Sequence, residues 1–169
     1  MQGRIEDIKV IVEDKEGKEY FDNGWYGNIK SGNLELSLVE ALLLQERGRL
    51  EVFIKNKKLS FSDFYHYCCS KINNFTNLYY VYKDMRERGL PVRVGFKGMD
   101  LRVYDRGAKP NKAEKVKWIV FVASEDYPSD FSMLERATKL SQNIKTTALW
   151  AVVDNDTDIT YYAVNELKI

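Results

Sequence analysis

The spacing of apolar and polar positions changes several times along this 169-residue chain, and each change marks an element. Ile5 to Val12 (IEDIKVIV) and Lys18 to Phe21 read as short strands joined by a turn at Asp14–Gly17. Asn23, Gly24, Gly27 and Gly32 mark irregular connections. Leu36 to Leu44 (LSLVEALLL) predicts the clearest helix of the first half, with Ser37 and Glu40 spaced for a capping box and Gly48 placed to end it. Leu50 to Ile54 reads as a strand. Ser60 or Ser62 then caps a helix through Ile72, in which Phe61, Phe64, Tyr65, Cys68 and Ile72 share an apolar face.

The pattern breaks at the polar stretch Asn73-Asn74-Phe75-Thr76, which predicts a domain boundary and hence domains over 1–74 and 75–169. A third helix follows over 76–88, with Leu78, Val81, Tyr82 and Met85 on one side and Gly89 at its end. Val92 to Phe96, Asp100 to Tyr104 and Trp118 to Ala123 read as strands. The last of these is uninterruptedly apolar, as a strand buried on both faces must be. A fourth helix over about 130–146 starts at Ser129 or Ser132. Ala148 to Val153 is a second buried strand, and Ile159 to Val164 pairs with it across Asp154–Asp158. The fold class is mixed α/β (α+β), with the second half forming a mixed central sheet flanked by helices.

Composition narrows the function classes. A 44% hydrophobic and 13% aromatic content supports a packed core, so global disorder is excluded. No apolar run is long enough to span a membrane, and Met1 to Val10 is too charged for a signal peptide, so a cytoplasmic protein with no membrane partner is expected. Cys68 and Cys69 are adjacent and read as reduced thiols, at least one of them packed on a helix. With these and a single histidine, His66, no zinc-type ligand set exists, and neither a metal nor another cofactor is expected.

The formal net charge of +1 conceals segregation. Residues 71–117 carry twelve basic and five acidic side chains, whereas 118–135 carry four acidic and no basic ones. A local field of that size attracts phosphates even though the whole chain is near neutral.

Three separated stretches resemble the archaeal tRNA-splicing (tRNA-intron) endonucleases: residues 77–107 (NLYYVYKDMRERGLPVRVGFKGMDLRVYDRG), residues 149–162 (LWAVVDNDTDITYY), and residues 23–47 with NGWYG before LELSLVEALLLQERG. The resemblance implies a small mixed α/β N-terminal domain and a nuclease-like C-terminal domain. It also implies cleavage of precursor tRNA at bulge–helix–bulge intron borders, leaving 2′,3′-cyclic phosphate and 5′-hydroxyl ends. Four such units assemble into the working enzyme.

In that family a tyrosine acts as general base, a histidine as general acid, and a lysine stabilises the charged phosphorane. The tyrosine corresponds to Tyr104. The histidine position falls on Glu114 or, with a one-residue shift, Lys115, and the lysine position on Thr146 or Lys145. A lysine side chain ordinarily titrates near ~10.4 and a glutamate near ~4.3, so neither replaces a histidine as an acid at neutral pH. The resemblance therefore points to the structural, non-catalytic subunit of a heterotetramer, partnered by two catalytic subunits.

What such a copy retains is assembly and RNA contact. In the family the loop matching Asp154-Asn155-Asp156-Thr157-Asp158 inserts into a basic cleft of a neighbouring subunit, which makes Asp154, Asp156 and Asp158 candidate contacts. Tyr161, Tyr162 and Val164 are candidates for a strand-edge dimer contact. Arg93, Lys97, Arg102, Arg106, Lys109 and Lys112 are candidates to line that cleft or to track RNA phosphates. Lys139 stands where catalytic copies have a base-stacking arginine, and without the planar guanidinium that clamp is weaker. Two other readings stay open: a self-sufficient homomeric endonuclease with an unusual acid, and an RNA-binding module that recruits another nuclease.

Overall fold

The structure is a computed structural model that describes residues 1–96, 98–126 and 130–169. The chain divides into two compact units, Met1–Thr76 with Lys109–Lys112, and Asn77–Ala108 with Ala113–Ile169. The short Lys109–Lys112 segment thus groups with the first unit, although it follows the second unit's first two strands in sequence.

The first unit holds β1 (Gln2–Glu6), β2 (Lys9–Val12), α1 (Gly17–Gly24), β3 (Asn28–Lys30), β4 (Asn33–Ser37), α2 (Leu38–Glu46), β5 (Glu51–Ile54), β6 (Lys57–Lys58) and α3 (Phe61–Lys71). Its sheet runs β3-β4-β2-β1-β5-β6, with β1 and β5 parallel and the other pairs antiparallel. Both edge strands are short and exposed and carry Lys30, Lys57 and Lys58, which discourages edge-to-edge pairing.

Three local expectations change. Ile5–Val12 is not one strand, because Asp7 sits at φ 53° and folds it into the β1–β2 hairpin, with Glu6 opposite Lys9. Lys18–Phe21 is not a strand but part of α1. Gly17, Tyr20, Phe21 and Gly24 repeat at the helical period, a pattern hidden by two positions that carry no side chain. Leu36 belongs to β4, opposite Val10, so the apolar run is a strand end followed by a helix.

Ser37 is the hinge between the two. Its Oγ accepts from the Glu40 N–H, while Glu40 Oε2 accepts from the Ser37 N–H at 2.9 Å and from its hydroxyl at 2.8 Å. Glu40 is 3% exposed, and its other oxygen accepts from the Gly27 N–H at 3.0 Å. Gly27 lies at φ 59°, where a Cβ would stand 2.3 Å from the Glu35 carbonyl oxygen, so no other residue fits. One buried carboxylate therefore joins the loop before β3 to the start of α2. Leu38 through Leu44 are all buried, so α2 is enclosed on every side.

The second unit contains α4 (Phe75–Glu87), which carries the chain into it, then β7 (Val92–Val94), β8 (Leu101–Val103), β9 (Trp118–Ser124), α5 (Phe131–Asn143), β10 (Thr147–Val153) and β11 (Ile159–Val164). Its sheet runs β11-β10-β9-β8-β7, and only β9 and β10 are parallel, joined through α5. These are the two apolar runs, central and mostly buried as their composition requires.

On one face, Ala137, Leu134 and Leu140 of α5 pack on Phe121, Ala123, Ala148 and Trp150, with the Phe121 and Trp150 rings stacked at 5.5 Å. On the other face, the Tyr161 hydroxyl donates to Asp84 of α4 at 2.7 Å. The cap of α5 is Asp130, whose carboxylate accepts from the Met133 N–H at 2.8 Å. Of the two serines expected there, Ser132 lies inside the helix and Ser129 outside the described residues. Glu125 and Asp126 are exposed, as a stretch without local basic partners requires.

Replacing Glu40 with Ala removes the carboxylate that accepts from the buried Gly27 N–H and half of the capping box. We expect a loss of about 2–3 kcal/mol in urea unfolding, against about 1 kcal/mol for Ser37→Ala. Equal losses below about 0.5 kcal/mol would show that Glu40 does not join these segments.

Candidate functional site

The parallel pairing of β9 with β10 puts Trp118 opposite Thr147, and the antiparallel pairing of β8 with β9 puts Val103 opposite Trp118. Three strand ends therefore meet at one place. The Lys117 N–H donates to the Val103 carbonyl at 2.8 Å. The Thr146 hydroxyl lies 2.7 Å from the Lys117 carbonyl and 3.0 Å from that of Val116. Tyr104 follows Val103 directly, is 5% exposed, and donates its N–H to the Pro91 carbonyl. The positions named from sequence for the base and the lysine thus converge at this end of the sheet. Glu114, half-buried, and Lys115, exposed, lie in the segment that enters it.

The two lysine-position residues differ in circumstance. Thr146 is committed to the backbone before β9. Lys145 is exposed and sits at φ 53°. Its N–H donates to the Gln142 carbonyl at 3.2 Å and the Thr146 N–H to the Ser141 carbonyl at 2.9 Å. Those two bonds are a Schellman closure of α5, with a lysine in the left-handed position that glycine usually takes.

The GFKGMD stretch is structural in its described part. A Cβ on Gly95 would lie 2.4 Å from the Met99 carbonyl oxygen, and its N–H donates to the Asp100 carbonyl. Asp100 accepts from the Val122 N–H at 2.7 Å, and burial of its carboxyl pushes it above the ordinary aspartate range.

The basic candidates differ in their settings. Arg93 is 7% exposed and stands cross-strand from Arg102. The Arg102 guanidinium lies 4.8 Å from the Phe96 ring centroid and donates to the Val94 carbonyl, while its Nε has no hydrogen-bond partner among the described residues. Lys109 donates to the Asn23 carbonyl within the first unit, and Lys112 is exposed beside it. Lys139 pairs with Glu135 at 2.8 Å on α5. Lys97 lies outside the described residues.

Arg106 has a different setting. Its Nε donates to the Arg88 carbonyl at the end of α4, and it lines a cavity of about 780 Å³ on the α4 side of the sheet. Arg88, Lys117 and Trp118 share that lining. None of the three was a candidate from sequence: Lys117 and Trp118 are neighbours at the start of β9, but Arg88 lies at the end of α4 and joins them only in the fold.

In the acidic turn, Asp154 Oδ1 accepts from the Asp156 and Asp158 N–H groups at 2.9 and 3.0 Å, so this carboxylate builds the turn. Asp156 and Asp158 are exposed, with no side-chain partner among the described residues. Tyr161 faces inward to Asp84, and partial burial pushes its phenol well above the ordinary range. Tyr162 is 56% exposed, and Val164 packs partly against the α5 core.

His66 lies on α3, with Nδ1 2.7 Å from the Ser62 carbonyl oxygen. Cys68 is buried and pushed up to about 12 by burial, as an inert core thiol would be, and Cys69 is exposed. Among the described residues no group of three or more His, Cys, Asp or Glu is placed to hold a metal ion, and no helix is long and apolar enough to cross a membrane.

Comparison with known families decides the assignment. The tRNA intron endonuclease N-terminal domain matches residues 1–65, and the tRNA intron endonuclease catalytic C-terminal domain matches residues 75–161. The chain belongs to the tRNA intron endonuclease family. Similar proteins are each named tRNA-splicing endonuclease. One from Methanococcoides burtonii is 38% identical over 169 residues, covering 100% of this chain and 47% of the relative. One from Methanosarcina mazei is 34% identical over 164 residues, covering 97% and 46%. One from Thermococcus kodakarensis is 34% identical over 149 residues, covering 88% and 86%. The chain thus spans about half the length of the methanogen relatives and most of the thermococcal one.

If Lys145 has only a helix-closing role in this endonuclease-family chain, Lys145→Gly relieves its left-handed backbone. We expect a gain of about 1 kcal/mol in chemical denaturation, and a loss for Lys145→Val, whose branched Cβ tolerates that backbone poorly. Destabilisation by glycine would mean that the lysine side chain makes a stabilising contact.

Proposed function

We propose that this chain is the structural subunit of a tRNA-splicing endonuclease. In this reading it assembles as a two-plus-two heterotetramer with a histidine-bearing family member. The partner cuts precursor tRNA at bulge–helix–bulge intron borders, leaving 2′,3′-cyclic phosphate and 5′-hydroxyl ends, in the cytoplasm. The observation that carries the reading is the lack of a general acid. The histidine position holds Glu114 or Lys115, and the sole histidine belongs to a helix of the other unit, beside a Ser62 carbonyl. Cleavage requires a proton for the leaving 5′-oxygen at neutral pH, and a side chain ordinarily titrating near ~4 or ~10 supplies it poorly. The methanogen relatives carry about as much chain again beyond the stretch they share with this one, which fits a working unit of more than one such module.

A self-sufficient homomeric endonuclease is the competing reading. It is favoured by the left-handed lysine beside the strand ends, since a residue held in an unfavourable conformation at a site is a reason to suspect use. It is also favoured by the thermococcal relatives, which this chain nearly spans.

Cleavage decides between them. The purified chain should leave a bulge–helix–bulge RNA intact, and mixing it with a histidine-bearing family member should give cutting. Tyr104→Phe in this chain should then leave turnover within about twofold, since it would not be the reacting base. Robust cleavage by this chain alone would overturn the structural-subunit reading.

Assembly is tested at the acidic turn. Asp156→Asn with Asp158→Asn removes two exposed charges while leaving Asp154 to hold the turn. If this loop seats in a basic cleft of a neighbouring subunit, the assembly should shift to smaller species in light scattering, and the wild-type assembly should weaken as salt rises. An unchanged mass for the double variant from low to high salt would leave the turn without a docking role.

A further inference from the structure

We propose that the cavity on the α4 side of the second sheet is a nucleotide pocket, taking one base of an RNA strand together with its phosphate. This deepens the RNA-processing reading above and rests on it for the source of the nucleotide.

The cavity's size, about 780 Å³, is in the range of small-ligand sites. Its wall is apolar where a base would lie, built from Met85, Leu90, Leu149, Ala163 and the Trp118 ring. Its cations are Arg88, Arg106 and Lys117; Arg88 is paired with Asp84 and Lys117 with Asp105, which leaves Arg106 as the lining cation without a carboxylate partner among the described residues and the place for an anion. Base-sized apolar surface beside cations is what a nucleotide requires, whereas a free phosphate has no use for the former and an apolar peptide none for the latter.

The cations are positioned but not exhausted. Arg88 is held by Asp84, at 2.9 Å through Nε and 3.4 Å through Nη2. Arg106 spends Nε on the Arg88 carbonyl, and its two terminal nitrogens have no protein partner among the described residues. Those free nitrogens form the fork that grips a phosphate in two bonds. The Lys117 ammonium bonds Asp105 at 2.6 Å and lies over the Trp118 ring, 4.9 Å from its centroid, which puts positive charge against one face of that ring.

Polar atoms for a base edge are also present. Thr147 carries a hydroxyl in the lining, and Tyr161 keeps acceptor capacity after donating to Asp84. Asp105 and Thr147 line the pocket, whereas their neighbours Tyr104 and Thr146, the positions that match the family's catalytic residues, do not.

The test uses the full chain, alone and assembled, with three probes: adenosine 5′-monophosphate, adenosine, and a bulge–helix–bulge RNA. Binding of the monophosphate, followed by NMR, should saturate and shift resonances of Trp118 and Thr147, with adenosine at least about tenfold weaker. Arg106→Gln should weaken monophosphate and RNA by about tenfold and lower the salt slope of RNA binding by about one. Trp118→Phe should retain most of the affinity, and Lys117→Gln should lose several-fold. Lys30→Gln, in the first unit, should change nothing. Thermal melts of each variant separate lost binding from lost fold.

Two results overturn the pocket. One is no saturable binding of the monophosphate together with RNA affinity unaltered by Arg106→Gln and Lys117→Gln, which leaves the RNA-processing reading intact. The other is unaltered RNA affinity with altered assembly mass, which assigns the cavity to a protein neighbour. If the assembly binds no RNA but the chain takes up the monophosphate with loss on Arg106→Gln, the pocket stands and the RNA reading falls.

Discussion

Everything at the candidate site depends on one backbone interaction, the parallel pairing of β9 with β10 over the seven residues from Trp118–Thr147 to Ser124–Val153. A parallel pair needs a crossover, here α5, and needs both faces covered, which is why the two strands are almost continuously apolar. Because they start in register, everything just before them is brought to a common edge. Thr146 can then reach the carbonyls of Val116 and Lys117, and Lys117 can reach Val103. A one-residue slip would exchange the α5-facing Phe121 and Trp150 with residues that face α4. The hydrophobic core and the site are thus set by the same register.

How much of this was legible depended on whether the cause was local. The two buried strands, the capping box at Ser37 and the β10–β11 hairpin were readable because each is written in consecutive residues. The helix at Gly17–Gly24 was not, because half of its inward positions are glycines and add nothing to an apolar count. The break at Asp7 was not readable either, since a left-handed aspartate in a two-residue turn looks like a polar position in an alternating strand. The site divided in the same way. Tyr104 stands in a motif of consecutive residues just after β8. The cavity bounded by Arg88, Arg106 and Lys117 could not be read from consecutive residues, because it joins a helix end to two strand ends 29 residues apart along the chain from first cation to last. Within the basic stretch the circumstances differ residue by residue: Arg93 is buried, and Lys109–Lys112 groups with the first unit.

The closing of α5 illustrates how position and chemistry compete at this site. A Schellman motif sets its left-handed residue by hydrogen-bond geometry, and glycine satisfies it at least cost. Here the motif falls immediately before β10, so the residue after it, Thr146, is carried to the strand ends and Lys145 is turned outward. A side chain at position 146 therefore points where the three strands meet, and one at 145 does not inherit that direction. Threonine at 146 fills the place with a hydroxyl that satisfies backbone carbonyls, which stabilises the junction without supplying charge.

The near-zero net charge is misleading for the same reason that the cavity was hidden. β10 begins beside Lys117 and ends at the acidic turn; at roughly 3.3 Å per residue its seven residues separate the two by about 20 Å. Charges that far apart are separated by about two Debye lengths at physiological salt, so they do not neutralise one another in solution. Each end presents its own field: the cations around Arg106 at one, and Asp156 and Asp158 at the other. Reversing the strand's direction would leave the composition untouched and exchange those two fields, so the functional information in the charges lies in where the fold puts them, not in their sum.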